Sequence, residues 1–290
     1  MSLRVLSSRD VVTLITAFQP GVVEALVPAL REFNAATRAD RDVLLLRALA
    51  LVDNLHLLRA LHRCRPGAFT AAFMDATARC GYLDALAFMH GELHLGCTVE
   101  AINMAACWGH LAVVEFLHVH RAEGCTVDAM DWAACWGHLP VVRFLHAHRH
   151  EGCSTRAMDW AAAKGRDAVV AFLHAARTEG CTYRAMNAAA TNGHGEMVRF
   201  LHVHRTEGCT SDAMDHAARR GHLEIVRFLH TERHEGCTTQ AIDWAAARGH
   251  LDVVRFLREN RTEGWTDAAI ADAMANGHMD IVAYLSNSTT

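Results

Sequence analysis

The residues with the clearest capacity for chemistry are the 21 histidines and ten cysteines of this 290-residue chain. Both types ligate zinc, and a cysteine thiolate is also a nucleophile. Their spacing argues against either use. Cys97, Cys125, Cys153, Cys181, Cys209 and Cys237 form one ladder with a rung every 28 residues. One histidine set follows a glycine: His110, His138, His194, His222, His250 and His278. Another closes an apolar run: His118, His146, His174, His202 and His230. Ligands of one zinc ion each lie about 2 Å from it, and a disulfide needs Cα atoms within about 7 Å. Rungs carried by packed helices stand roughly 10 Å apart. The cysteines therefore read as small residues buried at a tight turn, and the histidines as turn caps or edge residues. His146 and His150, at i,i+4 spacing, are the one local helical pair. No metal and no cofactor is expected. The chain has no phosphate loop, no Gly-x-Ser-x-Gly and no His-Glu-x-x-His, so it does not read as an enzyme.

The elements that carry these ladders follow from the same period. Glu123-Gly124-Cys125 recurs at Glu151-Gly152-Cys153, Glu179-Gly180-Cys181, Glu207-Gly208-Cys209 and Glu235-Gly236-Cys237, and as Glu263-Gly264-Trp265. A second glycine keeps the same step: Gly81, Gly109, Gly137, Gly165, Gly193, Gly221, Gly249 and Gly277. Each unit reads as two helices. Thr126 caps the first by accepting an orphan backbone N–H. Ala129 to Ala134 is rich in helix formers, and Gly137 ends the helix in a left-handed conformation. Leu139, Val141, Val142, Phe144 and Leu145 then supply the apolar stripe of the second helix. Such short helices are marginal alone, so the units must stack to bury one continuous core. Arg121, Arg149, Arg177, Arg205, Arg233 and Arg261 each precede a Glu by two residues, which reads as ion pairing along the array's edge.

Composition agrees with a repeat array and excludes some functions. A single core is strained at this length, and only four prolines interrupt helical structure. The formal net charge of -4 disfavours nucleic acid as a partner. No apolar run is long enough to span a bilayer, and the N-terminus carries no evident signal peptide. The thiols are expected to be reduced, in the cytoplasm or nucleus.

The segment Ala245-Ala246-x-x-Gly249-His250-Leu251-x-Val253-Val254-x-x-Leu257 resembles the ankyrin repeat, and the resemblance covers residues 66–290. It implies an all-α, ankyrin-like helical-repeat solenoid. The family's Thr-Pro-Leu-His opening is replaced by variants such as Gln240-Ala241-Ile242-Asp243, and the 28-residue period is shorter than the usual 33 or so. The missing residues shorten the hairpin between repeats. Short-loop arrays of this kind look like those of protists and large DNA viruses. Residues 1–40 read as an N-terminal helical cap, and 41–290 as the array: a degenerate first repeat at 41–65, then eight repeats.

The informative variation lies on the first helices. Two positions one turn apart share a face that the resemblance makes concave. Along the array they read Met104 and Trp108, Trp132 and Trp136, Trp160 and Lys164, Ala188 and Asn192, His216 and Arg220, Trp244 and Arg248, Asp272 and Asn276. The row is aromatic in its first half and basic in its second. Exposed Trp and Arg favour a contact surface; tryptophans packed between repeats would instead seal the stack. The expected function is a non-enzymatic scaffold binding another protein through this row, as a monomer. The alternative is an adaptor whose N-terminal helices recruit a second protein, such as a ubiquitin-ligase component, since Leu6 through Phe18 resembles the first helix of an F-box.

Overall fold

In the computed structural model, the described residues are 69–287 together with Leu55, Leu58, Arg59, His62 and Gly67. The expected cap at 1–40 and nearly all of the degenerate repeat at 41–65 lie outside them. Sixteen helices and no strand occur among the described residues. They alternate as first and second helices of successive repeats. The first helices are α1 (Ala71–Cys80), α3 (Glu100–Cys107), α5 (Val127–Trp136), α7 (Thr155–Ala163), α9 (Tyr183–Thr191), α11 (Ser211–Arg219), α13 (Gln240–Ala247) and α15 (Asp267–Ala275). The second helices are α2 (Leu83–Gly91), α4 (Leu111–His120), α6 (Leu139–His148), α8 (Asp167–Ala176), α10 (Gly195–His204), α12 (Leu223–Glu232), α14 (Leu251–Asn260) and α16 (Met279–Ser286). None of them is long and apolar enough to cross a membrane.

By contact the chain divides into two compact units, residues 1–133 with 140–152 and residues 134–139 with 153–290. Within each, first helices pack closely on first helices, and second helices touch one another more lightly. Side-chain size explains the difference. The buried face of α11 is Ala213, Met214, Ala217 and Ala218, and those of α9 and α13 are built alike. Alanine lets two axes approach. The second helices bury larger residues, such as Ile225, Val226 and Leu229 of α12.

The turn between the two helices needs glycine for two reasons. Gly221 has φ +76°, and a Cβ there would stand 2.6 Å from the His250 ring of the next repeat. The ring thus occupies space that only glycine leaves open. His110 lies the same way against Gly81, with its Nε2 3.1 Å from the Arg79 carbonyl oxygen. This histidine set is a contact between repeats and not simply a turn cap.

A second link between repeats is an Asp or Asn on the first helices from α1 to α13, buried in all but α1. Asp215 Oδ1 and Oδ2 accept from the Thr238 backbone N–H at 2.8 Å and from its hydroxyl at 2.7 Å. Thr238 Oγ1 in turn accepts from the Gln240 N–H at 3.2 Å, so one residue caps its own helix and fastens it to the preceding repeat. Asp75, Asp159 and Asp243 bind Thr98, Thr182 and Thr266 in the same way. Asn103 and Asn187 do so with the amide nitrogen donating to the hydroxyl of Thr126 and Thr210. These carboxylates and amides stand where the resembled family has its histidine.

The Arg–Glu ladder pairs as expected. Arg149 and Glu151 form a bidentate pair, and Glu151 also accepts from the Cys125 N–H at 3.3 Å. The pairs are less exposed than an edge position implies: the Arg149 side chain is 20% exposed. The cause is packing, since the Arg149 guanidinium fills the space beside Gly124 that a Cβ would take. Burial, then the Glu151 carboxylate, pushes the Cys125 thiol up to about 11, and Cys97, Cys181, Cys209 and Cys237 follow the same pattern. A thiol held protonated is a poor nucleophile.

The histidines that end the second helices correct the expectation of an edge position. They pack edge-on against the phenylalanine of the next repeat: His118 on Phe144 at 5.5 Å, His174 on Phe200 at 5.7 Å, His202 on Phe228 at 5.4 Å and His230 on Phe256 at 5.5 Å. In each of these four the Nδ1 atom is buried without a hydrogen-bond partner. His150 lies beyond the end of α6, so it does not share a helical face with His146.

Candidate functional site: the outer row of the first helices

Each first helix buries its alanine face against neighbours, and the side chains beside that face emerge less buried or exposed. The two positions of the row differ in depth. In the first unit Met104 and Trp132 are half-buried, while Trp108 is 60% exposed. In the second unit Trp160, Ala188, His216 and Trp244 are half-buried, and Trp136 is 51% exposed. Lys164, Asn192, Arg220, Arg248, Asp272 and Asn276 are exposed. The inner position is where rings meet between repeats: His216 and Trp244 stack at 5.4 Å with planes 1° apart. The outer position faces solvent.

Cations lie over the rings of the second unit. Lys164 Nζ stands 5.7 Å from the Trp136 ring, the Arg156 guanidinium 5.2 Å from Trp160 and the Arg219 guanidinium 5.4 Å from Trp244. Such contacts are worth about 0.5–1 kcal/mol each at exposed sites. Their structural consequence is larger, because a long side chain laid across a ring loses much of its rotational freedom before any partner arrives. Asn192 is fixed by donating to the Ala163 carbonyl oxygen at 2.9 Å.

Arg156, Arg184 and Arg219 belong to this surface and were not among the residues expected from the sequence. All three are exposed on first helices. The signal for Arg156 was present: it precedes Trp160 by four residues, which places both on one helical face. Arg184 takes the same position one repeat later, and Arg219 precedes Arg220 at the end of α11.

The carboxylates of the same helices are turned inward. Asp159, Asp215 and Asp243 are buried against the next repeat's threonine, and burial raises the Asp159 and Asp215 pKa values above the usual range even though the threonine hydrogen bonds oppose it. From α7 to α13 the one exposed carboxylate on the first helices is Asp212. Residues Lys164, Arg184, Arg219, Arg220 and Arg248 make no ion pair with another described residue. On the second helices, by contrast, Arg199 pairs with Glu196 at 2.6 Å and Arg227 with Glu224 at 3.8 Å, while Arg255 and Arg258 lie over the Tyr284 ring.

No group of three or more His, Cys, Asp or Glu side chains placed to hold a metal ion occurs among the described residues. An open hollow of about 420 Å³ lies on the second-helix side, between α8 and α10, and is lined by Asp167, Glu196, Arg199, Phe200 and His204 among others.

A sequence profile of the ankyrin-repeat family, three copies long, matches residues 158–241 and again 216–290. Comparison with curated proteins found no match.

Proposed function

We propose that this chain, in which residues 158–290 match the ankyrin-repeat family of protein–protein interaction modules, is a docking scaffold that holds another protein against the outer row of its first helices. One observation carries the reading: two tryptophans, Trp108 and Trp136, stand more than half exposed at the outer position. Tryptophan is costly to leave in water, and exposed rings rimmed by arginine are enriched where proteins bind. The inner residues Met104, Trp132, Trp160, His216 and Trp244 back the row, while Lys164, Arg220 and Arg248 supply its charge.

The test is Trp108→Ala combined with Trp136→Ala, each ring belonging to a different unit. Partners are captured from a lysate with the intact chain, identified by mass spectrometry, and recaptured with the variant. The double change is expected to abolish capture, at about 2 kcal/mol or more for each central anchor, with the melting temperature nearly unchanged. Undiminished capture moves the site off this row. A large fall in melting temperature shows instead that even the outer rings hold the stack together.

A further inference from the structure

We infer that the row in the second unit takes an extended acidic segment of a partner protein, with carboxylates at about every third residue. This rests on the docking role proposed above and adds the chemistry of the partner.

The first argument is charge. The chain as a whole is negative, at -4, yet six cations (Arg156, Lys164, Arg184, Arg219, Arg220 and Arg248) stand on the first helices from α7 to α13 or on the residue that ends them, against the single exposed carboxylate of Asp212. Folding produces this segregation, because Asp159, Asp215 and Asp243 are spent on the links between repeats. Five of the six cations make no ion pair with another described residue, whereas Arg199 and Arg227 of the second helices each do. An unpaired guanidinium on a surface with complementary geometry is a carboxylate receptor.

The second argument is preorganisation. Lys164, Arg156 and Arg219 lie across tryptophan rings at 5.2–5.7 Å. Side chains already held extended lose less freedom on binding. The same contacts argue against single-stranded nucleic acid, which needs open ring faces for its bases to stack upon. Here Trp160 and Trp244 have guanidinium groups over them, and Trp244 also has His216.

The third argument is spacing. Packed helices repeat at roughly 10 Å, and an extended chain rises about 3.3 Å per residue. Every third residue of an extended partner therefore meets the next repeat.

The experiment uses the intact chain and two labelled 15-residue peptides of one composition: Glu-Gly-Ser repeated five times, and the same residues with all five glutamates at one end. Fluorescence anisotropy is followed at increasing salt, with a 15-nucleotide oligothymidine as a third probe. The spaced peptide is expected to bind roughly tenfold more tightly than the bunched one, with affinity falling as salt rises. Lys164→Glu with Arg220→Glu and Arg248→Glu is expected to remove that binding while the melting temperature holds. Arg199→Glu with Arg227→Glu and Arg255→Glu, an equal charge change on the second helices, is expected to leave it within about twofold. Equal binding of the two peptides overturns the spacing, and equal loss in both variants overturns the location. Tighter binding of the oligonucleotide overturns the acidic peptide in favour of nucleic acid. Failure of both peptides, alongside capture of a partner that depends on Trp108 and Trp136, overturns the acidic chemistry and leaves the docking role standing.

Discussion

The Asp or Asn of the first helix ties one repeat to the next by hydrogen bonds. Asp215 receives two hydrogen bonds from Thr238, one from the backbone and one from the hydroxyl. Removing the acceptor costs both bonds at a part-buried joint, and hydrogen bonds to a charged group are worth about 1.5–3 kcal/mol. Asp215→Ala is therefore expected to lower stability by about that amount in chemical denaturation. Asp215→Asn should cost clearly less, because Asn103 and Asn187 already make the link with an amide. Equal losses for the two variants would mean that the carboxylate charge, and not the hydrogen-bond geometry, makes the joint.

At the scale of the element, the second helices and the turns before and after them give the array a defined response to acid. His90, His118 and His222 have lowered pKa values, in each case with burial as the largest cause; nearby Arg121 and Arg149 add to it at His90 and His118. At His118 protonation would also place an N–H on the partnerless Nδ1. A histidine whose folded pKa is lowered binds its proton more readily in the unfolded chain, so stability falls as pH drops through about 6.5 and below. The glutamates act in a lower window. Burial alone would raise Glu151 and Glu235, but hydrogen bonds from Arg149 and Arg233 and from backbone N–H groups outweigh it and bring both to about 2. Their contribution is present above about pH 4.5 and is lost as pH falls toward 2, and solvent screening at these part-exposed pairs holds it to about 1 kcal/mol for each. Asp159 and Asp215, which are raised, oppose this weakly. The melting temperature is expected to fall in two steps, between pH 7.5 and 5.5 and again below 4.5. His118→Phe, which keeps the ring on Phe144, should shrink the first step and leave the second. A first step of unchanged size in that variant would assign it to other groups.

At the scale of the molecule, stability should be modular, because within each unit the helix contacts among the described residues run within a repeat or to the next one. Ala189 is fully buried where α9 meets its neighbours. Ala189→Leu is expected to cost about 1–3 kcal/mol by overpacking. The loss of amide-exchange protection should concentrate in α7, α9 and α11 and fade along the array. An unchanged melting curve would remove Ala189 from the core, and a uniform loss of protection would show the array unfolding as one cooperative block.

The repeat, the helix pairs, the turn glycines and the Arg–Glu ladder were legible in the sequence because each is a local rule repeated at a fixed period. Periodicity turns a weak signal at one position into a strong one over eight. The Trp and Arg row was legible for the same reason, since i,i+4 spacing fixes a helical face whatever that face then meets. Depth was not legible. Trp132 and Trp136 look alike on a helical wheel, and only the stacking of repeats makes one half-buried and the other exposed. The histidines were misread for a related reason: what surrounds His118 is Phe144, 26 residues away on the next repeat. Tertiary packing also decided the sign of the outer row. The sequence distributes Asp and Arg over the same helices, and the threonine links draw the carboxylates inward and leave the cations to the solvent.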